Sequence, residues 1–185
     1  HEATINVVEE VPSSPEMAQM EIKFAQLVQA QKWQEVMGAL DQMFELAVSD
    51  HEKAKVWNNK ASAHGMLGDL EAAFRCWEQA LTFNPKQEQL RLDMISRLLV
   101  SGRQNEALPL AQAGVELHPA SPMMHVALGK TYQQLGKISD AIPQLERAAE
   151  LEPGKFEALY HLGAAYRSAH RPDDALAAWE RAEKD

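Results

Sequence analysis

The chain has 185 residues, with 18 lysines and arginines against 27 aspartates and glutamates, and a formal net charge of −9. So acidic a chain lacks the basic surface that a general nucleic-acid binder or an anionic-membrane binder needs. No run of about 18 apolar residues occurs, so we expect no membrane insertion. The single cysteine excludes an intrachain disulfide.

Residues 1–14 are predicted to form an N-terminal extension. Residues 4–8 are rich in β-branched side chains, and residues 12–15 contain two prolines that punctuate the chain before the first helix. We expect a tail that is the least stable segment unless it is bound, with strand pairing limited to residues 4–8. The chain begins at His1 instead of methionine, which suggests processing or a tag remnant.

Residues 17–50 are predicted to form a first, degenerate helical hairpin. Apolar residues recur at helical spacing in two runs, at Phe24, Leu27, Trp33, Val36, Leu40 and Met43. The register then slips before the next copy, and residues 48–52 contain no proline. We therefore expect a longer, irregular loop at this junction.

Four further copies follow, over about 54–87, 88–121, 122–155 and 156–185. Pro85, Pro119 and Pro153 are equally spaced, and the pattern between them repeats with them. The clearest copy has His125, Leu128, Gly129, Tyr132, Gly136, Ala141, Leu145 and Ala148. A fixed period of about 34 residues indicates stacked copies of one supersecondary unit.

The recurring residue types suit pairs of packed helices. Gly129 and Gly163 lack side chains, so a second helix can approach closely. The residue before each proline is pushed out of the α region, so helices should end at Asn84, His118 and Glu152. Ser121 and the proline after it suit the N-cap and first residue of the next helix.

The third copy departs from the pattern. Ile95 occupies the small-residue position, and we expect it to contact Ala111 or Gly114, so that a large residue faces smaller ones. Pro109 and Pro143 are expected near the first turn of their helices, where neither should break the helix.

This pattern resembles the tetratricopeptide repeat family. The resemblance implies an all-α fold, a right-handed α-solenoid of about five helix-turn-helix repeats over residues 15–185. It also implies that the first helix of each repeat lines a concave groove. The groove residues assigned by register are Lys55, Asn58, Asn59, Ser62, Met66, Leu92, Asp93, Ser96, Leu99, Val126, Lys130, Gln133, Gln134, Tyr160, His161 and Arg167.

Groove residues of this kind suit a peptide. Asn58 and Asn59 can hydrogen-bond a peptide backbone, while Leu92, Val126 and Tyr160 supply apolar contact between polar groups. Some family members hold the acidic C-terminus of heat-shock chaperones with a clamp of lysine, asparagine and arginine. The corresponding positions of this chain lack the cations in every frame, so we expect no binding of that motif.

We expect neither catalysis, nor a cofactor, nor a metal site. No glycine-rich phosphate loop, nucleophile elbow or paired-histidine zinc motif occurs. The Asp173–Asp174 pair suits the charge of a helix start, and Cys76 suits a buried apolar position. The single cysteine fits a cytoplasmic location, although the missing native N-terminus leaves periplasmic and membrane-tethered locations open.

The leading functional hypothesis is a protein-interaction module that binds a partner segment in the groove. One alternative is a scaffold that self-assembles into a homo-oligomer through the N-terminal tail or the last repeat. That repeat stops short of its closing proline, so Tyr166, Leu176 and Trp179 should leave an apolar surface uncovered. The other alternative is a targeting segment of a larger enzyme.

Overall fold

The structure, a computed structural model, describes residues 14–183, and these residues form ten α-helices. The helices are α1 (Pro15–Gln29), α2 (Trp33–Leu46), α3 (Asp50–Met66), α4 (Leu70–Phe83), α5 (Glu88–Val100), α6 (Gln104–Leu117), α7 (Pro122–Gln134), α8 (Ile138–Leu151), α9 (Phe156–Ser168) and α10 (Pro172–Glu183). Consecutive helices pair as five hairpins. The predicted tail and its strand lie almost wholly outside the described residues.

The short turn inside each hairpin has a middle residue with a positive φ. Glycine occupies this place in three turns, with φ between 71° and 80°, whereas Gln31 has φ 55° and His170 has φ 58°. The residue after it donates its backbone N–H to a carbonyl in the last turn of the preceding helix, as when Lys137 N bonds Tyr132 O at 2.9 Å. This bond is part of a Schellman-type helix end, which places a left-handed residue after the helix.

Helix ends between hairpins follow the proline pattern. Asn84, His118 and Glu152 are the C-caps of α4, α6 and α8, with φ of −137°, −131° and −137°. Ser121 caps α7, and its Oγ accepts a hydrogen bond from Met124 N at 3.2 Å. The predicted breaks and the predicted cap are confirmed.

The expected long loop after the first hairpin is wrong. Only residues 47–49 separate α2 from α3, and the extra residues extend α3, which has 17 residues. Ser49 and Glu52 form a capping box, in which Glu52 N donates to Ser49 Oγ at 3.2 Å and Ser49 N donates to Glu52 Oε2 at 3.0 Å. These bonds satisfy backbone N–H groups at the start of the helix, so the helix begins one turn early.

The chain divides into two compact units after Pro85. The first unit holds α1–α4, and its core includes Leu40, Met43 and Val56. Beside this core, Lys60 is only 8% exposed and forms an ion pair with Asp41 at 2.7 Å. Its ammonium also lies 4.5 Å from the ring centroid of Trp57, so a cation–π contact accompanies the charge pair.

The second unit holds α5–α10, and small residues allow its helices to pack closely. A Cβ on Gly129 would lie 2.6 Å from Leu145 Cγ, and a Cβ on Gly163 would overlap the indole of Trp179. The predicted close approach at both glycines is confirmed. A Cβ on Gly114 would lie closest to the side chains of Met124 and Arg91, and the contact of Ile95 with Ala111 or Gly114 stays a prediction.

Pro109 and Pro143 leave their helices unbroken, as predicted, but each lies in the second turn of its helix instead of the first. Cys76 is buried, as predicted. Burial raises the pKa of its thiol, which keeps the sulfur protonated and unreactive at neutral pH.

Candidate partner-binding surface

Three first helices of the second unit lie side by side. Helix α7 packs against both α5 and α9, so equivalent positions of the three repeats come together. Gln89, Met123 and Glu157, each one repeat period after the last, form one such row. Residues one repeat period apart in the sequence therefore lie next to one another on a continuous surface.

A pocket of about 230 Å³ opens on this surface. All of its lining residues belong to these three helices, namely Gln89, Leu92, Asp93, Ile95, Ser96, Leu99, Met123, Val126, Ala127, Lys130 and Glu157. This volume lies below the roughly 300–1,000 Å³ of pockets that enclose small-molecule ligands. The pocket therefore suits one or two side chains of a larger partner.

The floor of the pocket is apolar. Ile95 and Val126 are each 1% exposed, and Leu99 and Ala127 are also buried. Leu92 and Met123 are half-buried and line the pocket higher up. An apolar side chain that enters the pocket would be removed from water and would contact an apolar surface that the fold has already formed. Burial of this kind is favourable.

The rim of the pocket is polar, and its charged side chains differ in whether they form an ion pair. Lys130 Nζ forms an ion pair with Glu157 Oε1 at 3.0 Å. Gln89 Nε2 donates a hydrogen bond to Asp93 Oδ1 at 2.9 Å. Among residues 14–183, Asp93 has this neutral donor but no ion-pair partner, so the net charge of the rim is negative.

Exposed aromatic rings lie on α9 beside the rim. Phe156 is 61% exposed and Tyr160 is 51% exposed, and their rings stack with centroids 5.9 Å apart. His161 packs edge-on against Tyr160 at 5.4 Å. Burial, and then the charge of Lys130, lower the pKa of His161, so its imidazole is mostly neutral at pH 7.

Six of the residues assigned by register line the pocket: Leu92, Asp93, Ser96, Leu99, Val126 and Lys130. Their roles differ from those expected of a solvent-facing groove, because Leu99 and Val126 form the buried floor. Four further assigned residues, on α7 and α9, do not line the pocket: Gln133, Gln134, Tyr160 and His161. Gln133 Nε2 donates to His161 O at 3.0 Å and joins α7 to α9.

The assigned residues of the first unit all lie on α3. Lys55 is paired with Glu21 at 2.9 Å, Ser62 Oγ donates to Asn58 O at 3.2 Å, and Met66 is 64% exposed. Asn59 is half-buried. The last assigned residue, Arg167 of α9, has its guanidinium 5.6 Å from the ring centroid of Trp179.

Five lining residues were missed by the sequence assignment: Gln89, Ile95, Met123, Ala127 and Glu157. The signal that would have found four of them is the repeat interval itself. Gln89, Met123 and Glu157 are repeat equivalents of the assigned Lys55, and Ala127 lies one period after the assigned Asp93. Extending each assigned position to its equivalents in the neighbouring repeats would have included these four, but not Ile95.

No group of three or more metal-ligating side chains is found within residues 14–183. None of the described helices is both long and apolar enough to span a membrane.

Two models of the tetratricopeptide repeat match the sequence, over residues 54–87 and 126–185. Together they cover slightly more than half of the chain, and the chain belongs to the tetratricopeptide repeat family. No curated protein matches the sequence significantly.

Solved structures of MamA resemble this chain. A structure titled "MamA RS-1 ArsTM double mutant" is 17% identical with a TM-score of 0.73, over 93% of this chain and 95% of that one. MamA 41-end from Desulfovibrio magneticus RS-1 is 18% identical with a TM-score of 0.70, over 93% and 96%. At this identity the likeness concerns the fold alone, and with the ten helices it confirms the predicted all-α solenoid class.

Proposed function

We propose that this chain is a protein-interaction module that holds a segment of a partner protein in the pocket on α5, α7 and α9. The observation that carries the proposal is the pocket itself, since an apolar floor with a polar rim is the chemistry of a peptide site. Its lining comes wholly from first helices, which line the groove in this family. Binding, and not catalysis, is the proposed activity.

A bulky substitution in the pocket tests this function. Ser96 is exposed and lines the pocket, so Ser96→Trp should fill it without disturbing the core. Ser139, exposed on the second helix α8, provides a matched control as Ser139→Trp. We expect proteins that cross-link to the wild-type chain to be lost with Ser96→Trp and kept with Ser139→Trp, as measured by mass spectrometry. Equal capture by both variants would contradict a role for the pocket.

Self-assembly is the second candidate function, and the last hairpin supplies an observation in its favour. Leu176 on α10 is 57% exposed, whereas Tyr166 and Trp179 are half-buried under Arg171 and Arg167. An interface there would depend on Leu176. Sedimentation at rising concentration should show association that Leu176→Glu abolishes, and a wild-type chain that stays monomeric would exclude this candidate.

A further inference from the structure

We propose that the pocket recognises a segment in which an apolar side chain lies next to an arginine or lysine. This inference rests on the proposed function and specifies its partner. It depends on three properties of the surface: the apolar floor, the Asp93 carboxylate on the rim, which has no ion-pair partner among the described residues, and the exposed rings beside it.

The apolar floor provides the anchor. Ile95 and Val126 are almost completely buried and form the base, and the half-buried Leu92 and Met123 form walls that remain partly open. A side chain such as leucine, methionine or phenylalanine would be desolvated on several sides. Anchors of this kind, inserted into preformed pockets, dominate the affinity of most interfaces.

The rim determines the sign of the charge beside the anchor. Lys130 is already neutralised by Glu157 at 3.0 Å, so it offers little to an acidic partner. Asp93 is exposed and accepts a hydrogen bond only from the neutral amide of Gln89 among the described residues. A guanidinium or ammonium near Asp93 would gain a charge-assisted hydrogen bond, whereas a carboxylate would be repelled.

The stacked rings of Phe156 and Tyr160 add a second contact for a cation. Tyr160 lies one repeat period after Val126, which places it in the row of residues that includes the pocket floor. Both rings have exposed surface, and aromatic faces attract arginine and lysine. The chain itself forms such contacts, for example Arg171 with Tyr166 at 4.4 Å.

The same charges disfavour the chain's own N-terminal segment as the occupant. Residues 1–13 contain Glu2, Glu9 and Glu10 and neither lysine nor arginine. Their apolar residues Ile5, Val7 and Val8 would suit the floor, but the adjacent carboxylates would meet Asp93. A basic segment of another protein matches both features, and the net charge of −9 would favour its approach at low salt.

A peptide-display library of random decapeptides tests the inference with the full chain as bait. We expect wild type to enrich sequences with Leu, Met or Phe beside Arg or Lys. Asp93→Asn should keep the apolar preference and weaken binding of an enriched basic peptide by about tenfold, which corresponds to about 1.4 kcal/mol, because it removes the charge from one charge-assisted hydrogen bond. Glu116→Gln removes an exposed carboxylate of α6, a second helix, and should leave both preferences unchanged.

The possible outcomes separate this inference from the function on which it rests. Apolar enrichment without basic residues, acidic enrichment, or a basic preference that Asp93→Asn leaves intact would overturn the inference alone. Failure of wild type to enrich any sequence, or enrichment that survives Ser96→Trp, would overturn the proposed function as well. Circular dichroism of each variant checks that loss of binding is not loss of the fold.

Discussion

Gly129 shows how a single missing side chain determines the packing of a hairpin. A Cβ at this position would lie 2.6 Å from Leu145 Cγ, closer than such atoms approach in folded proteins. We expect Gly129→Ala to lower the free energy of unfolding by about 1–3 kcal/mol through overpacking. Urea denaturation measures the change.

Gly65 on α3 is the matched control, because a Cβ there would have no neighbour within 4 Å. Gly65→Ala should instead raise the free energy of unfolding by up to about 1 kcal/mol through better helix propensity. If both alanine variants change stability equally, close packing at Gly129 is not the cause.

Tyr166 gives the stability a distinctive dependence on alkaline pH. Burial, followed by the hydrogen bond from its hydroxyl to Glu146 at 2.5 Å, raises the pKa of Tyr166 from 10.0 to about 12. The pKa of Tyr166 is therefore higher in the folded chain than in the unfolded chain. The stability that this difference contributes is fully present below pH 10.0 and is lost as pH rises towards about 12. Between pH 10.0 and about 12, the free energy of unfolding should fall less steeply for Tyr166→Phe than for wild type. If the two proteins lose stability in parallel over this pH range, the raised pKa is contradicted.

At the scale of the element, the hairpin turns differ in a way that can be measured. Gly136 and His170 hold equivalent places, with φ of 72° and 58°, but only glycine adopts this region without strain. We expect His170→Gly to stabilise the chain by about 1 kcal/mol, since a non-glycine residue in the left-handed region costs roughly 1–2 kcal/mol. Gly136→Ala should destabilise it, and thermal unfolding compares the two. A lower melting temperature for His170→Gly would mean that the imidazole stabilises the turn.

Helix boundaries were predictable wherever proline or serine determined the backbone. Pro85, Pro119 and Pro153 located three helix ends because the residue before proline avoids the α region. The junction before α3 has no proline and was predicted wrongly as a long loop. Its sequence nevertheless contains the Ser49 and Glu52 spacing of a capping box, and that local signal outweighs the absent proline.

The sequence predicted several of the residues that line the candidate site, but not how deeply each of them is buried. The family resemblance, applied by register, assigned Leu92, Asp93, Ser96, Leu99, Val126 and Lys130 to the groove, and all six line the pocket. It could not show that Val126 forms the floor while Asp93 lies on the rim. Depth depends on how closely α5 and α7 pack, and that distance depends on side chains contributed by other helices.

At the scale of the whole molecule, deletion of the tail tests what the repeats need for stability. We expect removal of residues 1–13 to change the melting temperature very little, because all ten helices lie within residues 14–183. Sedimentation of the same variant examines assembly. A deletion that converts an oligomer to monomers would identify the tail as an assembly element and favour the scaffold hypothesis.

The protected thiol of Cys76 makes the chain convenient for site-specific labelling. It is the single cysteine, it is buried, and its raised pKa keeps it protonated. A cysteine introduced at exposed Ser96 would therefore react with a maleimide dye or photo-cross-linker in preference to Cys76. A reporter group at the pocket mouth could then follow occupancy directly, without a second mutation to remove the natural thiol.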